Sequence, residues 1–406
     1  MARRFRLPGE VHLREAVRAV LLLALVSLAA FAIDGAGAAN AQTGELTWPS
    51  KQIVRPRDIA VTYPCGGGSL CNVDDFMERQ HVCALVVIGA DELAFYRTYV
   101  RGDDDPCKTP VERDRYGMAS ITKSIVALLF GFVYQDASYG PPVDLDSSAA
   151  DILEAAGVPK YEDQVTLRQL LHMASGMEWS EDEIDAILKI QVDENGDLVG
   201  KHRRLKDAVA ERLGQARFFP PGGFHYSGFD SQLIGILTEH RLTADKGFTR
   251  GTLDEALERF LWQQLPVEKN AEWNADFGGH PSAHCCAYTS AGDLAVLGNW
   301  VLKQYKQGTG AQADWVRASM TDTVDADWSC EFQGMKRTLR YGYQWWVPSD
   351  DKQDGFTGIG TEGQYLHIFP EQGVVVAQFG EQLASDADTC EAMLVHRLIA
   401  DELARN

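Results

Sequence analysis

Short apolar runs separated by turn residues predict two β-hairpins, one near each end of the chain. Residues 81–100 contain two runs rich in β-branched and aromatic residues, on either side of the turn sequence Gly-Ala-Asp-Glu at 89–92. Residues 364–379 repeat this arrangement around Pro-Glu-Gln-Gly at 370–373. Such pairs of runs indicate antiparallel strands joined by a turn. Side chains of alternating character predict one further strand over 341–347.

Between these hairpins the spacing of apolar residues is mostly helical. A helix is predicted from Ser120 to about Tyr134, and a closing helix has Leu394, Leu398 and Ile399 on one face together with Leu403. Further helices are predicted at 151–156, 167–173 with Thr166 as its N-cap, 205–213, 231–240, 253–265 and from 289 to beyond 300.

Strands near both ends with helices between them predict an α+β fold. One antiparallel sheet would combine the N- and C-terminal strands and would be flanked by helices. We expect residues 42–140 and 285–406 to form this sheet domain, and residues 141–284 to form an inserted, mostly helical lobe. With 406 residues and 45% hydrophobic content the chain can build a sizeable core.

The N-terminus is typical of a secretory signal peptide. Five arginines precede an uncharged run from Ala19 to Ile33, and small residues follow up to Ala41. We predict that residues 1–41 are a leader and that the mature protein is periplasmic or secreted. The apolar run is shorter than the roughly 20 residues of a membrane span. Retention of the leader as a permanent membrane anchor is the alternative.

The chain is acidic, with a formal net charge of −20 that becomes −22 without residues 1–41. A surface of this charge repels nucleic acid and anionic lipid, so neither is an expected partner. The same charge also serves simply to keep an exported protein soluble. The oligomeric state stays open.

Eight cysteines follow the predicted leader, and an even number in an exported chain indicates up to four disulfides. Spacing cannot choose among the pairings, although Cys65 with Cys71 and Cys83 with Cys107 would close short loops. No cysteine cluster has the spacing of a zinc site with histidine, and His-Glu-x-x-His is absent from the sequence. We therefore expect no metal site and no cofactor.

The candidate chemistry begins with Ser120 and Lys123, a Ser-x-x-Lys that opens an apolar helix. Unpaired backbone N–H groups and the positive end of the helix dipole favour a developing alkoxide at Ser120. Lys123 lies at i+3 on the same face. Desolvation disfavours an ammonium group, so a lysine among apolar neighbours can serve as a base for the serine hydroxyl.

Four more segments follow in a fixed order. The five together are 119–123, 167–177, Tyr226 after a Pro-Gly turn, 289–295 and 358–364. In this order they resemble the motifs of the β-lactamase-related serine hydrolases, which include class C β-lactamases, DD-peptidases and related esterases. The similarity is greatest to the 6-aminohexanoate-dimer hydrolase branch and covers about residues 80 to 400. It implies a β-lactamase/DD-peptidase-like fold.

The resemblance also implies roles for particular residues. Ser120 would be the nucleophile that forms an acyl-enzyme, with Lys123 as its base. Tyr226 matches the tyrosine of the family's Tyr-x-Asn element, which passes the proton to the leaving group. The backbone N–H groups of Ser120 and Thr361 would form the oxyanion hole.

The chain departs from the family pattern in two places. Gly228 replaces the asparagine of Tyr-x-Asn. The strand expected to face the nucleophile has Gly358, Ile359 and Gly360 where strong β-lactam binders carry a cation, a hydroxyl residue and glycine. The missing cation makes efficient recognition of a β-lactam doubtful.

Other residues near these motifs are candidates for contact with the substrate or for structural roles. Gly360, Trp345 and Trp346 are candidates for substrate binding, whereas His172 and His225 have the character of structural histidines.

Three functions follow from these observations. The first is an exported serine hydrolase of small amides or esters. The second is a β-lactamase or penicillin-binding DD-peptidase. The third is a catalytically idle binding protein of the cell envelope, for which the loss of asparagine at Gly228 is the sequence argument. Retention of Ser120, Lys123 and Tyr226 together favours an enzyme.

Overall fold

An eight-stranded antiparallel sheet forms the centre of the computed structural model. The described residues are 46–47, 53–54, 59–90, 92–98, 107, 115–159, 165–177, 204–213, 222–242, 246–268, 270–285, 287–349, 354–381 and 385–405. The predicted leader lies outside them, as do the acidic residues that follow residue 177. Residues from Ala41 onward form one compact unit.

The strands of the main sheet are β5 (Val82–Gly89), β6 (Glu92–Thr98), β10 (Val324–Phe332), β11 (Met335–Tyr341), β12 (Trp346–Pro348), β13 (Phe356–Gly360), β14 (Gln364–Phe369) and β15 (Val374–Gly380). The shorter strands are β1 (Leu46–Thr47), β2 (Ile53–Val54), β3 (Thr62–Gly66), β4 (Ser69–Asn72), β7 (Tyr116–Gly117), β8 (Glu272–Trp273) and β9 (Ala287–Thr289).

The order of strands in the main sheet is β10-β11-β12-β13-β14-β15-β5-β6. The N-terminal hairpin β5–β6 therefore joins the C-terminal strands through the pairing of β5 with β15. Both predicted hairpins are present, and the predicted sheet built from the two ends of the chain is confirmed.

The helices are α1 (Val73–Arg79), α2 (Ile121–Tyr134), α3 (Ala149–Ala155), α4 (Leu167–Leu171), α5 (Leu205–Leu213), α6 (Gly228–Arg241), α7 (Leu253–Phe260), α8 (Ala291–Gln307), α9 (Ala311–Thr321) and α10 (Asp386–Arg405). Helices α3 to α7 lie within 141–284, the segment for which a separate helical lobe is predicted. In the part of the chain that the structure describes, every helix is too short or too polar to cross a lipid bilayer.

Both faces of the sheet are covered, which explains why its central strands are continuous apolar runs rather than alternating ones. Along β5, Val86 and Ile88 pack into the larger core with α2 and α8, whereas Leu85 and Val87 pack into a second core with α1 and α10. Every residue of α2 is buried. The helix that carries the Ser-x-x-Lys is thus fixed on all sides.

The predicted strand over 341–347 is wrong in its middle. Strand β11 ends at Tyr341 and β12 begins at Trp346, and residues 342–345 turn away from the ladder. Gly342 packs against the carbonyl oxygen of Ser319 so closely that a side chain there would overlap it, and Gln344 has a φ of 63°. The break follows from contacts with α9, which lie outside any local pattern.

The structure also contains α9, β10 and β11, which the hydrophobic pattern does not predict. Helix α9 packs on α2 through Trp315, whose indole Nε1 donates to the carbonyl oxygen of Ala127 at 2.9 Å. The ring lies directly over Gly131 of α2, and a Cβ at that position would overlap the indole.

We expect Gly131→Ala to lower the free energy of unfolding by about 1–3 kcal/mol. Alanine is the better helix former by about 1 kcal/mol, but overpacking against the buried Trp315 ring outweighs that gain. Gly292→Ala in α8 is the matched control, because the nearest atom to its added Cβ is 3.8 Å away. Denaturant unfolding of both variants checks this, and equal stabilities would contradict it.

Candidate active site

Ser120 lies at the N-terminal end of α2, as the sequence predicts. Its φ of −71° and ψ of −7° already belong to the helix, and the preceding Ala119 has a φ of 44°. The sharp turn at Ala119 leads the chain from β7 directly into the helix. The Ser120 hydroxyl makes no capping bond to the helix backbone, so its oxygen is available to another partner.

That partner is Lys123, one turn further along α2. The Lys123 Nζ donates to Ser120 Oγ at 2.7 Å and to the carbonyl oxygen of His284 at 2.6 Å. The lysine side chain is only 1% exposed. A basic nitrogen held this close to a hydroxyl out of bulk water has the geometry required to accept its proton.

Tyr226 completes a cluster of three with these residues. The Lys123 Nζ lies 5.1 Å from the centroid of the Tyr226 ring, a cation–π contact. Tyr226 precedes Ser227, the N-cap of α6, whose Oγ accepts from the N–H of Phe229 at 3.2 Å. The start of α6 therefore fixes where the tyrosine enters the site.

The motif at 167–177 forms hydrogen bonds with the loop that precedes Tyr226. The N–H of His225 donates to the carbonyl oxygen of Met173 at 2.7 Å, and that of Gly222 donates to the carbonyl oxygen of Ala174 at 3.0 Å. The Ser175 hydroxyl donates to Asp230 Oδ1 at 2.5 Å. This motif thus holds both the loop before Tyr226 and the first turn of α6.

Asp230 is buried in that first turn, with only 1% of its surface exposed. Burial raises the pKa of the Asp230 carboxyl to about 8, and the hydrogen bonds from Ser175 offset part of the rise. The group is therefore a neutral acid over most of the physiological range, which spares α6 a buried charge.

Strand β13 approaches the nucleophile along its glycines. A Cβ at Gly358 would lie 3.2 Å from Ser124 Oγ, and one at Gly360 would lie 2.8 Å from the carbonyl oxygen of Met118. The two positions are i and i+2 and therefore face the same side of the strand. Glycine at both lets β13 end beside Ser120, with Thr361 next in the chain.

Gln344 is a structural residue of the site that sequence reasoning missed. It is buried; its carbonyl oxygen accepts from Ser124 Oγ at 2.6 Å, and its Oε1 accepts from Ser231 Oγ at 2.6 Å. Its backbone N–H donates to the carbonyl oxygen of Leu171 at 3.1 Å. Through its backbone and its side chain, this one residue in the strand break joins α2, α6 and α4. Contacts spread over this much sequence leave no local signal.

The two candidate tryptophans point to different places. Trp345 is 1% exposed and packs edge-on against Phe356 at 5.7 Å in the core. Trp346 is half-buried and stacks on Tyr226 with ring centroids 5.8 Å apart. Of the pair, Trp346 lies beside the proposed chemistry, and the prediction for Trp345 is not supported because its ring is enclosed by core residues.

His284 is the second residue that the sequence did not reveal. Burial, and after it the charge of Lys123, lowers the pKa of His284 to about 3, so the imidazole is neutral. His172, which the sequence assigns a structural role, is buried with its Nε2 at 2.9 Å from the carbonyl oxygen of Asp322. Among the described residues no group of three or more His, Cys, Asp or Glu is placed to hold a metal ion.

Three disulfides join described residues: Cys65 with Cys71, Cys83 with Cys107, and Cys330 with Cys390. Cys285 is also disulfide-bonded. The pairing that the sequence left open thus includes the two short loops, Cys65 with Cys71 and Cys83 with Cys107.

The antiparallel sheet, the buried helix and the Ser–Lys pair define the class as a serine hydrolase of α+β fold. The profile of the beta-lactamase family matches residues 72–400, and the chain belongs to that family. Among curated relatives, the 6-aminohexanoate-dimer hydrolase of Paenarthrobacter ureafaciens is 23% identical over 345 residues, which cover 81% of this chain and 78% of that protein.

Solved structures share the fold. A Bacillus anthracis protein assigned as a 6-aminohexanoate-dimer hydrolase has a TM-score of 0.63 at 18% identity, covering 86% of this chain and 88% of its own. A penicillin-binding protein of Bacillus halodurans has a TM-score of 0.57 at 18% identity, covering 80% and 99%. A class C β-lactamase of Rhodobacter sphaeroides has a TM-score of 0.53 at 15% identity, covering 80% and 97%.

We expect Asp230→Asn to change how stability depends on pH. An acid whose pKa is raised on folding is protonated in the native state but ionised in the unfolded chain between about pH 4 and 8. Over this window the wild type loses up to about 1.4 kcal/mol per pH unit relative to an asparagine variant. Thermal midpoints at pH 5 and pH 8 test this, and parallel pH trends for the two proteins would contradict it.

Proposed function

We propose that this protein is an exported serine hydrolase that cleaves a small amide or ester through an acyl-enzyme on Ser120. The observation that carries the proposal is the Lys123 Nζ, buried and 2.7 Å from Ser120 Oγ at the N-terminus of a fully buried helix. In this position the lysine is shielded from water and has the serine hydroxyl as its immediate neighbour.

The reaction has two steps, acylation of Ser120 and hydrolysis of the acyl-enzyme. Lys123 takes the proton of the Ser120 hydroxyl as Oγ attacks the substrate carbonyl, and the tetrahedral oxyanion is bound by the N–H groups of Ser120 and Thr361. Tyr226, beside Lys123, passes that proton to the departing amine or alcohol. Water then attacks the acyl-enzyme by the reverse path and restores Ser120.

The walls of the site favour an uncharged group next to the scissile bond. Gly358 and Gly360 offer backbone and no cation, and a Cβ at Gly358 would lie 3.2 Å from Ser124 Oγ, so a larger residue there would require its neighbours to shift. A carboxylate bound against β13 would therefore have no counter-ion there. The curated relative is named for hydrolysis of a 6-aminohexanoate dimer, and a linear amide of this kind is our preferred substrate class.

Trp346 and Tyr226 would form the apolar wall on the other side. Trp346 lies 4.9 Å from Tyr341 and 6.0 Å from Trp328 between ring centroids, so it is the centre of an aromatic cluster. Gly360, at the end of β13, would line the site opposite. Trp345 is left out of this assignment because it is enclosed in the core.

Export is supported by the predicted leader at 1–41 and by the disulfides among the described residues. Disulfides persist in oxidising compartments and are rare in the cytosol. We therefore place the mature protein in the periplasm or outside the cell, where small amides from the surroundings would reach it.

We expect Ser120→Ala to abolish covalent labelling by a fluorophosphonate probe and the burst of acylation by a chromogenic ester. Lys123→Ala should slow the same burst by on the order of 10³-fold or more, because the members of such a unit act together. Mass spectrometry of the labelled peptide locates the adduct. Labelling that survives the loss of the Ser120 hydroxyl would overturn the proposal.

The same assay separates the alternatives. A covalent adduct with a labelled penicillin would favour a penicillin-binding or β-lactamase activity, whereas ester turnover without a penicillin adduct favours the amidase and esterase assignment. A folded wild-type protein that no probe labels would favour an idle binding protein. Circular dichroism of each variant provides the control for folding.

We expect Trp346→Ala to raise KM for an aryl ester by roughly 10-fold through the loss of aromatic packing. The rise in KM for an alkyl acetate should be smaller. Trp328→Ala is the comparison. Trp328 contacts Trp346 in the same aromatic cluster, but of these two tryptophans Trp346 is the one that stacks on Tyr226. Michaelis constants for the two esters test this. Equal changes in KM for both substrates would argue against a binding role.

A further inference from the structure

The side chain of His284 lies against the position where the family's asparagine would begin. A Cβ built on Gly228 would lie 3.2 Å from the Cβ of His284 and 3.4 Å from its Cδ2. The first distance is tighter than most Cβ contacts and the second is at the edge of ordinary van der Waals contact, so a side chain at 228 would begin in contact with His284. The side chain that borders this position thus comes from a residue 56 positions further along the chain.

His284 is also bound directly to the proposed base. Its carbonyl oxygen accepts from Lys123 Nζ at 2.6 Å, and its Nδ1 lies 2.6 Å from Ser282 Oγ. The residue is 1% exposed. The backbone of His284 thus contacts the lysine, and its side chain lies beside the start of α6.

The segment around His284 is fixed in place by other elements. The N–H of Ala283 donates to Gln232 Oε1 at 3.0 Å, and the N–H of Ala287 donates to Thr122 Oγ1 at 3.3 Å. The indole Nε1 of Trp273 donates to the carbonyl oxygen of Ser282 at 2.8 Å. The histidine is therefore presented by a loop anchored to both α6 and α2.

We propose that His284 is a positioning residue that takes over the place of the missing Tyr-x-Asn side chain, holding Lys123 against Ser120 and keeping water away from the lysine. The inference rests on the proposed function and deepens it. A neutral imidazole suits this role because it fills the space without placing a second positive charge beside Lys123.

The titratable groups around this position come from three elements. Lys123 belongs to α2, and Tyr226 precedes α6. Tyr341 of β11 and Asp230 of α6 also belong to this group, and these two interact electrostatically with each other. Loss of the imidazole would admit water beside Lys123 and loosen its contact with Ser120.

A double-mutant cycle on Gly228 and His284 tests the proposal with p-nitrophenyl acetate. We expect His284→Ala to lower kcat by roughly 10- to 100-fold with little change in KM, because a loosened base slows the chemical step more than it weakens substrate binding. Gly228→Asn alone should also lower kcat, because its side chain displaces His284. The double variant should be at least about 10-fold faster than either single one, since asparagine then occupies the vacated space.

His280→Ala is the matched control, because His280 belongs to the same segment but bonds Glu239, at 2.8 Å, rather than Lys123. It should keep the wild-type kcat even if its thermal midpoint falls. A wild-type kcat in His284→Ala, or a change confined to KM, would overturn the inference, as would a double variant no faster than His284→Ala. If His284→Ala does not fold, a wild-type kcat in Gly228→Asn overturns it equally.

Fluorophosphonate labelling of the wild type distinguishes the two levels of the proposal. A labelled wild type with an unchanged His284→Ala removes the positioning role and leaves the hydrolase intact. A folded wild type that is not labelled at Ser120 removes both.

Discussion

The site depends on a lysine nitrogen kept out of water between two oxygen atoms. Burying a polar group costs several kcal/mol unless hydrogen bonds replace those to water, and Lys123 has replacements in Ser120 Oγ and the carbonyl oxygen of His284. One comes from its own helix and the other from 161 residues further along the chain. The environment of Lys123 is therefore created by the closure of the whole fold around α2.

Close approach of backbone segments makes this closure possible. Gly131 lets Trp315 lie on α2, and Gly358 and Gly360 let β13 end against the start of the same helix. In each case the missing side chain is what allows the contact, because packed interiors tolerate almost no overlap. Ser120, Lys123 and strand β13 are held together by these contacts and by the buried hydrogen bonds of Gln344.

The departures from the family pattern have different physical meanings. On β13 a glycine stands where a cation would be, and a larger residue at Gly358 would press on Ser124. At Gly228 the side chain of His284 borders the vacant position, and in our proposal it compensates for the missing asparagine. A motif compared along the sequence treats both as missing residues. The structure distinguishes them, because only the second has a neighbouring side chain that can take its place.

The sequence by itself determined the hairpins, the helix after Ser120, the joining of both chain ends in one sheet, and the order of the catalytic motifs. These are local features: turn residues, apolar spacing and short motifs act within a few residues of one another. Tertiary structure alone decided the strand break at 342–345, the core position of Trp345 in contrast to Trp346, and the meeting of Lys123 with His284. Each of these depends on atoms distant in the chain, such as the Ser319 carbonyl beside Gly342, so no window of sequence contains both partners.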